Sequence, residues 1–130
     1  MMSEPILTSS LLCEDVLPSR LIDDRLTLYR VLFDLAAASF PARAYRLFCV
    51  NLWRGGHGEY VDRTRIVTPS GLVAAEAEAV FIADPRGHHT QIYTFADLRL
   101  PEPGEYAVEV YRNEQLVLTY TVVVSESEEE

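Results

Sequence analysis

The chain has 130 residues, of which 48% are hydrophobic and 24% are charged, as in an ordinary globular domain and unlike a disordered chain. Acidic residues outnumber basic ones 20 to 11, and the formal net charge of −9, with the arginines dispersed among acids, argues against nucleic acid as a partner. Four of the acidic residues occupy the last five positions, so part of this charge belongs to a solvated tail.

The first half of the chain predicts three strands. Ile6–Val16 is an apolar run, and Ser19–Asp24 after it is a polar connection. Arg25–Leu35 alternates as a strand does, although its pattern also fits a helix, which remains the alternative. Tyr45–Arg54 is almost continuously apolar, with Asn51 as its one uncharged polar interruption, and this predicts a central strand covered on most of both faces.

Glycine and proline turns separate the strands of the middle region. Gly55–Gly58 is a glycine-rich hairpin connection. Glu59–Thr68 carries polar residues on both faces, which predicts a strand at a sheet edge or facing solvent. Leu72–Ala83 is rich in alanine, which favours helix, but its clean alternation and flanking turns favour strand. His88–Leu100 contains a further strand.

The last part of the chain predicts an antiparallel hairpin. Pro101–Gly104 forms a turn, a strand starts at Tyr106, and the polar loop Arg112–Gln115 leads into the closing strand Leu116–Val124. A glycine two residues before a tyrosine at a strand entry also resembles the tyrosine corner, in which the phenol hydrogen-bonds back to the preceding turn. The alternative is an ordinary aromatic residue on a buried face.

Strand-like runs at roughly ten-residue spacing, separated by glycine and proline turns, predict an all-β fold. The specific expectation is an antiparallel, immunoglobulin-like β-sandwich of about seven to nine strands. Residues 1–5 are expected to form a frayed N-terminus, residues 6–124 the single sandwich domain, and residues 125–130 an acidic disordered tail.

The two cysteines and the N-terminus predict a cytoplasmic protein. Cys13 and Cys49 lie in apolar runs, where a free thiol behaves as a small buried hydrophobe. Met1–Thr8 lacks the pattern of an export signal, and no apolar run reaches the length of a membrane-spanning helix. Reduced thiols are therefore expected, with a Cys13–Cys49 bridge across the sandwich as the alternative.

Paired carboxylates and loop histidines are the candidates for chemistry. Glu14 and Asp15 lie at the end of an apolar run and not on a solvent-facing strand surface. This position makes them the more interesting candidates for general acid–base chemistry. His57 lies in the glycine loop and His88 follows a predicted turn. A carboxylate at a strand end is more often an edge charge or an arginine partner, so no catalytic residue is predicted.

A metal site and a cofactor are not predicted. Asp84, His88 and His89 offer a carboxylate and two imidazoles, but adjacent histidines on a strand point to opposite faces and chelate poorly together. Metal-binding spacings such as HExxH and CxxC are missing from the sequence.

Trp53 is the candidate for ligand binding through an aromatic side chain. Together with Tyr45 and Tyr60 it would form a platform for a glycan or a peptide on one sandwich face. The alternative is that Trp53 caps the core beside the Gly55–Gly58 hairpin, as large aromatic residues usually do.

Three segments resemble a family of small, mostly bacterial, uncharacterised proteins. They are the opening strand Leu11–Val16 (LLCEDV), the entry Ser39–Ala42 (SFPA) to the central strand, and the closing Pro101–Tyr106 (PEPGEY). The resemblance spans the chain from about Leu11 to Val124. It implies a β-sandwich and carries over no activity.

The leading functional hypothesis is a non-catalytic binding or structural module that meets a protein partner or self-associates, through an edge strand or an exposed aromatic face. It rests on an analogy at the level of the fold. One alternative is an enzyme or metal-binding protein that uses Glu14, Asp15 and a loop histidine. The other is a carbohydrate- or peptide-binding module centred on Trp53. Nucleic acid and membrane are not expected as partners.

Overall fold

The computed structural model describes residues 3–18 and 26–127. The predicted connection Ser19–Asp24, the first two residues and the tail residues 128–130 lie outside the described residues. The described residues form nine strands and no helix, which confirms the all-β prediction. The strands are β1 (Ile6–Pro18), β2 (Leu26–Leu32), β3 (Asp34–Ala37), β4 (Ala42–Arg54), β5 (Gly58–Val67), β6 (Val73–Ala83), β7 (His88–Leu100), β8 (Gly104–Arg112) and β9 (Gln115–Glu126).

The strands form two sheets. One has four strands in the order β2-β1-β4-β7, all antiparallel, and the other has five in the order β3-β9-β8-β5-β6. In the five-stranded sheet β3 runs parallel to β9, and the other neighbours are antiparallel. The helix alternative for Arg25–Leu35 is wrong, because the chain forms β2 in one sheet and, after Phe33, β3 in the other.

The main hydrophobic core contains side chains from both sheets. Leucine and aromatic residues of β1, β4 and β7 pack with aliphatic residues and Tyr106 of β5, β8 and β9. β4 lies between β1 and β7, as expected of a central strand. The fully enclosed members of this cluster are Leu12, Leu47, Cys49, Ile66, Tyr93, Phe95, Leu98, Leu100, Tyr106, Val108, Val122 and Val124.

The expectation that Glu59–Thr68 lies at a sheet edge with two wet faces is wrong. β5 pairs with β8 on one side and with β6 on the other. Its polar residues Asp62 and Thr64 point inward and are fully buried, while Arg63 and Arg65 point outward. The edge strand next to β5 is β6, where Glu76 and Glu78 are exposed, and β3 forms the other edge of this sheet.

The closing hairpin forms as predicted, and Tyr106 makes the expected contact with the turn before it. Its hydroxyl donates to the carbonyl oxygen of Glu102 at 2.6 Å and accepts from the Glu102 amide at 3.3 Å. The ring is buried in the core. At the other end of β8, Asn113 adopts a positive φ of 55° and its side chain accepts from the amide of Val61, which fixes the turn into β9.

Replacing Tyr106 with phenylalanine should lower the free energy of unfolding by about 1–2 kcal/mol, because the ring still fills its site but both hydrogen bonds to Glu102 are lost. Urea denaturation measures this change. Tyr45→Phe is the matched control, since the Tyr45 side chain is 88% exposed and should tolerate the change. Equal stability of the two variants would contradict a stabilising role for the Tyr106 hydroxyl.

Cys13 and Cys49 are unbridged and lie on neighbouring strands of one sheet. The register pairs Leu12 with Cys49 and Cys13 with Phe48, so the two thiols point to opposite faces of that sheet. A bridge across the sandwich is therefore not formed. Burial raises the pKa of both thiols, that of Cys49 to about 12.

Unfolding the protein in denaturant without reductant should release two thiols per chain in a titration with a disulfide reagent, because neither cysteine is bridged. In the native protein at about pH 8 the same reagent should react slowly with Cys13 and Cys49. Their burial and the raised pKa of both thiols leave little accessible thiolate. A sample reduced beforehand serves as the control. Fewer than two thiols in the unreduced sample would show that a disulfide exists.

Candidate functional site

The four-stranded sheet carries apolar side chains on both faces, although Ser9, Thr90 and Thr94 also lie on the outer one. Its inward side chains, such as Leu12 and Cys49, belong to the core, and by alternation the intervening side chains point away from it. The register aligns these outward residues as Leu11 beside Val50 and Cys13 beside Phe48. We call them the outer apolar face, which consists of Leu11, Cys13, Val31, Phe48, Val50, Leu52 and Ile92.

The central members of the outer apolar face are almost completely shielded from solvent. Cys13 is 0% exposed and Val50 is 2% exposed, although neither belongs to a core cluster. All nine described strands belong to the two sheets, so none of them lies across this face. The central side chains therefore offer little surface to solvent, and Ile92, which is 38% exposed, is the most open member of the face.

Charged residues occur at the ends of the outer apolar face. Arg54 pairs with Ile6 and His88 at one end. Asp15 and Arg46 lie at the other end, two residues beyond Cys13 and Phe48, where β1 and β4 separate. The Arg46 guanidinium lies 5.3 Å from the centre of the Phe48 ring. An apolar centre with charges at its rim is the usual composition of a protein interface.

The outer face of the five-stranded sheet has a different character. Arg65 donates to the Glu109 carboxylate at 2.6 Å and to the Tyr111 hydroxyl at 3.2 Å. The Arg63 guanidinium lies 4.6 Å from the centre of the Tyr111 ring. These charged and aromatic groups contact one another across neighbouring strands, as on a solvated sheet surface. The two outer faces therefore differ in the share of charged residues, although Val80 and Ile82 on the face of the five-stranded sheet are 58% and 72% exposed.

A buried polar cluster lies between the sheets and is centred on Asp62. Its carboxylate is 0% exposed. It accepts hydrogen bonds from the Trp53 indole at 2.8 Å, the Asn51 amide at 3.0 Å, the Thr64 hydroxyl at 2.8 Å and the Tyr93 hydroxyl at 2.9 Å. These four partners are all uncharged, so hydrogen bonds alone replace the water that the carboxylate loses.

The cluster continues through Asn51 toward the other strands. The Ser10 hydroxyl donates to Asn51 Oδ1 at 2.6 Å and lies 3.0 Å from the Tyr120 hydroxyl. Burial and then the Asp62 charge raise the pKa of Tyr93, while burial and then the Cys49 thiol raise that of Tyr120. These phenols therefore stay protonated and donate. The cluster stabilises the packing of the sheets and presents no accessible base or nucleophile.

Sequence reasoning did not identify this cluster. The one signal was Asn51, a polar residue in an otherwise apolar strand that is covered on both faces. Such a residue needs buried partners, but nothing in the sequence indicates that Asp62 and Thr64 of the next strand supply them.

Glu14 and Asp15 lie far from the loop histidines. They follow Cys13 on β1, whereas His57 follows Arg54, which pairs with Ile6 at the opposite end of that strand. Eight or nine residues of extended chain span about 30 Å. The structure therefore does not bring these carboxylates and His57 together.

Both carboxylates are engaged locally. Glu14 lies 3.8 Å from Arg30 on the surface, and Asp15 accepts from the backbone amide of Val16. A groove of about 530 Å³ borders Glu14, and no histidine is among its lining residues. An acid and base pair for catalysis is not assembled here. The groove is lined by Glu14, Leu32, Leu35, Tyr45, Arg46 and Leu47.

The remaining predicted residues lie at the end of the molecule where β4 and β7 meet the connecting loops. Trp53 is 1% exposed, and its ring lies tilted against Phe81 at 5.4 Å in a second core cluster, so it is not available as a surface platform. His57 is exposed, and its backbone amide donates to Ser3. His88 is exposed at the start of β7. Within residues 3–18 and 26–127, no group of three potential ligands is placed to hold a metal ion.

A protein-family model described as a family of unknown function, DUF6941, matches residues 8–125. The chain belongs to this family. The match includes the whole stretch from Leu11 to Val124 that resembles an uncharacterised family. A comparison with curated proteins returns no match. The part of this DUF6941 member that the structure describes contains no helix that is long and apolar enough to cross a membrane.

In this DUF6941 protein, Asp62→Ala should reduce the free energy of unfolding by about 3 kcal/mol or more, because four buried donors lose their acceptor. Glu59→Ala, an exposed acid on the same strand, should change it by less than about 0.5 kcal/mol. Urea denaturation of both variants measures the difference. A similar small effect in each would mean that the Asp62 bonds contribute little.

Proposed function

We propose that this protein is a non-catalytic protein-binding module that uses the outer apolar face of its four-stranded sheet as the binding surface. The observation that carries the proposal is the set of outward apolar residues on β1, β4 and β7, in which Leu11, Val50 and Ile92 lie side by side and Ile92 is 38% exposed. A solvated sheet normally alternates apolar and polar faces. The apolar side chains that remain exposed on an outer sheet face favour contact with another apolar surface, because that contact removes them from water.

We also infer an immunoglobulin-like sandwich as the scaffold of this module. The bond from Tyr106 to the preceding turn supports it, since this contact is a hallmark of such sandwiches. The strand order supports it too, because the chain moves between the sheets from β4 to β5 and from β6 to β7, as Greek-key connections do. Two unbridged cysteines support a cytoplasmic location, where thiols stay reduced.

The sheet edge is a weaker candidate for the binding surface. β6 leaves one side of its backbone unpaired, but Glu76 and Glu78 are exposed along it. Charged residues on an edge strand oppose the addition of another strand. The outer apolar face has no comparable charge at its centre.

Affinity capture with matched variants tests the proposed surface. Wild-type protein and Ile82→Glu should retain the same partner from a lysate of the source cells, and Phe48→Glu should lose it, because a charge at the centre of the face would be buried in the complex. Ile82 is the control because it is 72% exposed on the outer face of the other sheet. The same retained proteins with wild type and Phe48→Glu would exclude this surface as the site.

A further inference from the structure

We infer that a cavity at one end of the sandwich binds an organic carboxylate that carries an aliphatic group. The cavity has a volume of about 770 Å³ and lies where the start of β4, the end of β7 and the turn before β6 meet. Volumes of roughly 300–1,000 Å³ are usual for small-molecule sites. We call it the arginine cavity, because Arg43 and Arg99 line it. None of its described lining residues belongs to the outer apolar face, so the two sites are separate.

The two arginines face each other across the ladder of β4 and β7. Arg43 is the register partner of Arg99. Like charges directly opposite each other on neighbouring strands destabilise a sheet. The chain has 11 basic residues against 20 acidic ones, so the pair does not follow from a basic composition. An anion between the two guanidinium groups would replace their repulsion by charge-assisted hydrogen bonds, and the planar guanidinium fits a carboxylate with two parallel bonds.

The shape of β7 leaves both of its charged residues beside the cavity accessible. Asp97 adopts a positive φ of 59°, which residues with a Cβ seldom do. This shifts the alternation of side chains, since Phe95 and Leu98 are both buried although three positions apart. Asp97 and Arg99 are consequently exposed on either side of Leu98. Uncommon backbone conformations of this kind cluster at binding sites.

The charges in the cavity favour a ligand with a single negative charge. Arg43 Nη1 donates to Asp97 Oδ1 at 2.9 Å. Arg99 makes no hydrogen bond or ion pair with the part of the chain that the structure describes, so its donors are available to a ligand. Asp97 is the one acid among the described lining residues, and two positive charges and one negative charge leave +1. A carboxylate neutralises this charge, whereas a phosphate monoester, at about −2, exceeds it.

Apolar side chains on the β6 side of the cavity suit the rest of the ligand. Leu72 is 65% exposed and Val73 is 47% exposed, and both line the cavity. An aliphatic group that lies against them would be removed from water together with their own surface. The ligand that fits is therefore amphipathic, with its carboxylate at the arginines and its aliphatic part at Leu72 and Val73. A free aliphatic acid and the C-terminal residue of a peptide share this chemistry.

Titration of nitrogen-15-labelled protein with hexanoate, followed by NMR, tests the site. We expect the backbone amide signals of Val73 and Arg99 to shift, with a dissociation constant on the order of 1 mM for so small a fragment. Hexanamide should bind about tenfold more weakly or less well still, because it lacks the charge. Hexyl phosphate should bind no more tightly than hexanoate, and tighter binding would overturn the assignment of a carboxylate.

Matched variants show whether the cavity itself is responsible. Arg99→Gln should weaken hexanoate binding by about tenfold or more, because it removes the guanidinium without a partner. Leu72→Ser should weaken it by about threefold or more, because the aliphatic part of the ligand loses an apolar contact. Arg86→Gln removes the same charge from an exposed turn outside the cavity and should bind as the wild type does. The amide spectra of the variants also report whether each one is folded.

A dipeptide of acetylated alanine and leucine distinguishes the two sources of the carboxylate. If it binds more tightly than hexanoate and loses binding when its C-terminus is amidated, the ligand is a peptide C-terminus; if hexanoate binds more tightly, the ligand is a free acid. The inference is wrong if no lining residue responds to about 20 mM hexanoate, well above the expected dissociation constant. It is also wrong if Arg99→Gln and Arg86→Gln weaken binding equally, since the effect is then one of overall charge. The capture experiment tests the outer apolar face independently.

Discussion

The carboxylate of Asp62 is the constraint around which the two sheets are arranged. A charge removed from water needs hydrogen-bond donors on several sides, and here they come from β4, β5 and β7. Those donors in turn fix their own neighbours, so that Asn51 orients Ser10 of β1 and, through it, Tyr120 of β9. These hydrogen bonds hold strands of both sheets in one relative position. Apolar packing is not directional and alone would define that position less well.

The need of Asp62 for buried hydrogen-bond donors also explains why the predicted edge position of Glu59–Thr68 is wrong. Asp62 and Thr64 alternate with Arg63 and Arg65, so both faces of Glu59–Thr68 look polar in the sequence. A polar side chain in a strand indicates solvent unless its partners are known, and here the partners belong to other strands. By contrast, the strands, turns and the Tyr106 bond depend on neighbours in the sequence, and these were largely predictable.

The sequence predicts the candidate surface only in part. The nearly continuous apolar run of β4 indicated two covered faces, and that signal is correct for the strand itself. Which residues lie beside Phe48 and Val50 is decided by pairing with β1 and β7, more than 30 positions away in the sequence, and no local pattern contains it. The carboxylates and histidines attracted attention for their chemistry, but pairing places Glu14 and His57 at opposite ends of the sheet.

The position of the final strand has a consequence for synthesis of the protein. β9 lies inside the five-stranded sheet between β3 and β8, whereas all four strands of the other sheet have been synthesised once Leu100 has been added. Until the last 30 residues follow, the inner face of that sheet lacks the cover that Tyr106, Val108, Val122 and Val124 of β8 and β9 supply. A nascent chain in this state is prone to aggregate or to hold a neighbouring nascent chain. The order of the strands along the sequence thus makes the C-terminal hairpin the step that ends this exposure.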